Sequence, residues 1–134
     1  MIRDCLIPAL KREFSGWEVM FDAPPQPIAT FAAAQPAVGR VLVYDDGDEA
    51  TVLIENVTHG HFSPYDEKLS ETQRDETVTE DVIDFLKALF GDRVLLHCSP
   101  DKHRGGWVRL DLKDGPVELS PAFEYFLWSR PYQA

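Results

Sequence analysis

The dipeptide Asp46-Gly47 stands between two apolar runs, Arg40-Val41-Leu42-Val43-Tyr44-Asp45 and Glu49-Ala50-Thr51-Val52-Leu53-Ile54-Glu55. A chain that reverses between two strands in so few residues needs φ > 0 at its tip, which glycine adopts freely and aspartate tolerates. The runs therefore read as an antiparallel hairpin, with Tyr44 opposite Glu49 and Val43 opposite Ala50. Both strands are apolar at nearly every position, which places them in the middle of a sheet.

The flanking segments extend this pattern. Ile2, Leu6, Leu10 and Phe14 are spaced four apart, one face of a helix. Pro8 lies inside it, so the helix is either irregular there or begins near Ile7. Trp17–Phe21 and Ile28–Ala33 read as strands on either side of a proline-rich loop. After the hairpin, Gly60 and Pro64 mark a bulge and an exit from the sheet. Val78, Val82, Phe85 and Leu89 then recur at helical spacing, opened by a capping box at Ser70/Gln73 or Thr77/Glu80 and stopped at Gly91. Arg93–Cys98 and Trp107–Leu112 read as paired strands. Ser120-Pro121 reads as the start of a last helix. The order α-β-β-β-β-α-β-β-α predicts an α+β fold: one domain over residues 1–134, with a mainly antiparallel sheet of about five to six strands and helices on a face.

Charge narrows the function classes. The 134 residues hold 23 acids against 13 Lys and Arg, a net charge of −10, so general binding to nucleic acid or to an anionic membrane is excluded. No apolar run is long enough to span a bilayer, and the N-terminal residues do not form a signal peptide. Cys5 and Cys98 are the only cysteines, read as reduced thiols of a cytoplasmic protein. The charge is concentrated: Asp45 to Asp84 contains 13 acids and only Lys68 and Arg74, a net −11, which leaves +1 for the rest. Asp45, Asp46, Asp48 and Glu49 crowd the hairpin tip, and Glu76, Glu80, Asp81 and Asp84 lie on the helix. Such charge solvates a surface and complements a helix N-terminus. It also suits docking of a basic protein partner. The tip resembles part of a calcium loop but lacks its D-x-[DN]-x-[DN]-G frame.

His59 and His61 would point to the same side of a strand, as two ligands of one metal must, with Asp66 following as a carboxylate. The piece His59-Gly60-His61 with Asp66 is similar to the first metal motif of the cupins, with Asp where that family has Glu. The family's second motif does not follow, a helix stands there instead, and neither its fold nor its activity is carried over. His97 and Cys98, adjacent on a strand, face opposite sides and do not form a nucleophile–base pair. Lys102-His103-Arg104-Gly105-Gly106 is the one compact basic loop, and with Tyr65 and Trp107 it supplies candidate ligand contacts: Tyr65, His103, Arg104 and Trp107. The aromatic tail from Phe123 to Tyr132 either closes the core or forms a contact surface.

These features predict a protein-binding module acting through an acidic face, an immunity- or inhibitor-type partner of a basic protein, with no cofactor. Two other readings stand beside it. One is a small enzyme or divalent-metal protein centred on His59, His61 and Asp66. The other is a structural homodimer through the aromatic tail.

Overall fold

A computed structural model describes residues 1–64 and 66–132 of the chain. Two helices, α1 (Ile2–Glu13) and α2 (Glu71–Phe90), accompany eight strands. A five-stranded sheet holds β1 (Val19–Phe21), β2 (Ala29–Phe31), β3 (Val41–Asp45), β4 (Ala50–Ile54) and β5 (Thr58–Phe62), in chain order. A three-stranded sheet holds β6 (Val94–Cys98), β7 (Gly105–Arg109) and β8 (Glu124–Phe126), with β6 in the middle. Every pairing is antiparallel. The fold is thus the α+β class that the sequence implies, with more strands than the pattern suggests.

One core joins the layers. Leu6, Leu10 and Phe14 of α1 and Val82, Leu86 and Leu89 of α2 pack with the inward residues Phe31, Val41, Val43, Val52 and Ile54. Alternation of buried and part-exposed residues along β4 reflects one covered face. Leu96 and Cys98 of β6 join the same core. The helices run parallel: Glu13 pairs with Lys87 at 2.8 Å, and Phe14 meets Phe90 edge-on at 5.5 Å between ring centres. Proline at position 8 does not interrupt α1. Its missing donor faces the carbonyl of the exposed Asp4, at the water-facing side of the helix. Ser70 and Gln73 form the capping box of α2, each accepting from the other's backbone N–H, at 3.2 and 3.0 Å.

Three local expectations are corrected. The hairpin register is Tyr44 opposite Thr51 and Asp45 opposite Ala50. Asp46 donates its N–H to the Glu49 carbonyl at 2.9 Å, so the tip is Gly47-Asp48, with Gly47 at φ +90°. Residues 58–62 stay in the sheet as β5, with Gly60 opposite Val52 and no bulge. Finally, Ser120-Pro121 opens a turn rather than a helix, and the chain continues as β8 against the free edge of β6. The β6 edge left open by β7 offers backbone partners, and Tyr125 and Phe126 are strong strand formers. The tail still closes the core, since Leu127 and Trp128 are buried and Trp128 packs on Phe90 at 5.0 Å.

Candidate functional site

The two sheets meet where Gly105 of β7 reaches the backbone just before β5. A Cβ at Gly105 would collide with the Val57 carbonyl, so only glycine permits that approach. Next to this seam, β5, β7 and α2 enclose a cleft of about 300 Å³. Its floor is aromatic: Phe85 lies 5.4 Å from Phe62 and 5.1 Å from Trp107, centre to centre. Trp107 lies over Gly60, where any Cβ would overlap the indole. Its rim carries His61, Asp81, Asp84 and Arg109.

The rim charges are not equivalent. Arg109 donates to Asp84 at 2.8 Å and grips Asp111 with two bonds of 3.0 and 2.9 Å. Those carboxylates hold the guanidinium protonated, and Arg109 in turn keeps the Asp111 carboxyl below the usual range. Asp81 has no such partner among the described residues. Partial burial, then the negative charges of Glu80 and Asp84, push its carboxyl above the usual range. Glu76, Glu80 and Asp84 are exposed and four residues apart, so they form one acidic ridge on α2 with Asp81 beside it. Among the described residues Glu76 and Glu80 also have no cationic partner within ion-pair distance.

The hairpin tip divides its carboxylates. Asp45 is almost wholly buried, with a side chain 2% exposed. It accepts the Arg3 N–H at 3.2 Å and the Gly47 N–H at 2.9 Å. Asp45 therefore holds the hairpin to the first turn of α1 and is not presented to a partner. Asp46 accepts from the Thr51 hydroxyl, and Glu49 lies 3.1 Å from His61 Nδ1. Asp48 is exposed and makes no side-chain hydrogen bond among the described residues.

Of the three proposed metal ligands, His59 and His61 do share the outward face of β5, with ring centres 5.1 Å apart. Asp66 does not join them; its carboxylate accepts the Lys68 N–H at 2.9 Å in a local turn. Asp46 and Glu49 stand at His61 instead. Their ligand atoms and that of His61 lie within 4.8 Å of one another.

The basic loop sits elsewhere. With the β4–β5 turn it borders a wider cleft of about 540 Å³ that includes His59 and His103. The cationic ends of this loop are engaged toward β8: Lys102 lies 3.9 Å from Glu124, and the Arg104 guanidinium covers Phe123 at 5.3 Å. Asp101 fixes the loop by accepting from Ser99 at 2.5 Å and from the His103 N–H at 3.1 Å. His97 meets Phe123 edge-on, 5.1 Å between ring centres, on the outer side of β6, while Cys98 faces the core, so the two do point apart. Cys5 and Cys98 are free thiols. Among the proposed ligand contacts only Trp107 reaches the acidic cleft; Tyr65 lies outside the described residues.

Phe62, Phe85, Arg109 and Asp111 belong to this neighbourhood without any signal in the sequence, since only the β5–β7 seam brings residues near 61, 81 and 107 together. Among the described residues no helix is long and apolar enough to cross a membrane. Searches of protein-family descriptions, curated proteins and solved structures find no match to this chain.

Proposed function

We propose that this chain is a cytoplasmic protein-binding module, of the immunity or inhibitor type, that captures a basic partner through the acidic ridge of α2 and the aromatic cleft beside it. The observation that carries this reading is the Glu76–Glu80–Asp81 group. Among the described residues these carboxylates have no cation of their own, and Asp81 stands at the rim of the aromatic floor, where Glu80 and Asp84 repel its charge. Folding does not gain from that arrangement. A Lys or Arg side chain of a partner does, because it relieves the repulsion at Asp81 and can lie on the part-exposed Trp107. A cation on an aromatic face contributes about 0.5–2 kcal/mol. Opposed charge also raises the association rate and makes it depend on salt.

The test uses a defined probe, a short oligolysine peptide, titrated by calorimetry at about 0.05 M and about 0.3 M salt, which shortens the screening length roughly from 14 to 6 Å. The expected result is saturable binding at low salt that weakens at high salt. Reversing Glu80, Asp81 and Asp84 to Lys should abolish it, while reversing the exposed Glu18, Asp114 and Glu118 should not. Equal loss from both triple variants would show only bulk charge attraction and would overturn the site.

A further inference from the structure

We propose that the outward face of the β3–β4–β5 meander holds a divalent transition metal, with Asp46, Glu49 and His61 as ligands and His59 as a further donor.

The donor set is assembled from two independent parts of the chain. The tip of the β3–β4 hairpin supplies the carboxylates of Asp46 and Glu49. Strand β5 supplies the imidazoles. The register places His61 opposite Thr51 and His59 opposite Leu53, so both rings project from the side of the sheet away from the core. Gly60 between them is buried beneath Trp107, which fixes the direction of its two neighbours.

The distances suit a small ion. Bonds of about 2.0–2.2 Å place the donor atoms around zinc roughly 3–3.5 Å apart. His61 Nδ1 and Glu49 Oε1 already stand at 3.1 Å, and the set with Asp46 is within 4.8 Å. His59, with its ring 5.1 Å from that of His61, is the next imidazole on the same face of β5. Thr51 stands between Asp46 and His61: its hydroxyl donates to the Asp46 carboxylate and lies 3.1 Å from His61 Nδ1, so it marks the same small space between the donors.

The chemistry selects the class of ion. Calcium and magnesium take oxygen ligands, and a site for them gains nothing from two histidines. Mixed imidazole and carboxylate donors suit zinc and its first-row neighbours. The proposal does not rest on the partner-binding reading, because Asp46, Glu49 and His59 lie away from the α2 ridge and only His61 borders its cleft.

The test is calorimetric titration of untagged protein with zinc chloride, beside thermal melting with and without the ion. The expected result is one zinc per chain and a raised melting temperature. His61→Ala should weaken binding by at least about 100-fold, since even residues behind the ligands are worth about 10–100-fold. Glu49→Gln and His59→Ala should each weaken it by about tenfold or more. All three side chains are at least part-exposed, so the variants should keep the melting temperature of the metal-free protein. An unchanged melting curve with zinc, or binding indifferent to His61→Ala in a folded variant, would mean an adventitious ion only and would overturn the site. Loss with His61→Ala but none with His59→Ala would remove His59 from the ligand set.

Discussion

Replacing Asp45 by Ala separates the structural charge of the hairpin tip from its exposed charge. The N-cap of helix α1 is Met1, which offers no side-chain acceptor for the first-turn amides. Asp45 supplies that acceptor from another element, taking the Arg3 N–H at 3.2 Å. Loss of such a cap costs about 1 kcal/mol. The same carboxylate accepts the Gly47 N–H at 2.9 Å, and a hydrogen bond to a charged group contributes about 1.5 kcal/mol. The ion pair with Arg3, 3.8 Å long with the arginine one-third exposed, adds less than about 0.5 kcal/mol. The total is about 2–3 kcal/mol. At about 3 °C per kcal/mol for a chain of this size, the melting temperature should fall by about 6–9 °C. Asp48→Ala, three residues on and exposed, should change stability by less than about 0.5 kcal/mol. Thermal and urea unfolding followed by circular dichroism read both variants. Equal shifts for the two, or a cost under about 0.5 kcal/mol for Asp45→Ala, would refute the assignment of Asp45 to the fold.

Three further outcomes follow from the same geometry. The folded state raises the Asp81 carboxyl above its unfolded value, so the charged form costs stability at neutral pH and the cost is relieved as pH falls through the folded value. Asp81→Asn should therefore raise the melting temperature at pH 7 by about 1–2 °C, an advantage that vanishes at acid pH, while it weakens oligolysine binding; calorimetric melts across pH check the sign. Gly60→Ala should destabilise by about 1–3 kcal/mol and displace Trp107, read by urea titration and indole fluorescence. A chain ended after Leu119 loses β8, Leu127 and Trp128 and should fail to give a cooperative melt.

Much of the framework was legible because its signals are local. Four-residue apolar spacing marked α1 and α2, and Ser70 with Gln73 marked where α2 starts. The hairpin was visible from Asp46-Gly47, but its register was not, because Gly47-Asp48 serves as the tip equally well and the choice depends on the carboxylate of Asp45 binding the Gly47 N–H. The sequence read Gly60 as a bulge, whereas its role is to admit Trp107, a residue 47 positions later. The tail failed as a helix for a similar reason. Ser120 does make a cap-like bond, accepting from the Ala122 N–H at 3.2 Å, yet the open edge of β6 captures the next residues. At the site, the acidic ridge on α2 was readable from spacing alone. The cleft was not, since β5, α2 and β7 contribute to it from distant parts of the chain. Likewise, proximity in sequence assigned Asp66 to the histidines, while pairing of β4 with β5 brought Asp46 and Glu49 there.

The most direct test of the acidic cleft as a docking site is the indole N–H of Trp107 in a proton–nitrogen correlation spectrum during titration with oligolysine. A saturable shift of Trp107 together with the amides of Asp81 and Asp84, leaving the indoles of Trp17 and Trp128 in place, is the predicted result. An unmoved Trp107, or small shifts spread over every acidic residue, would contradict it.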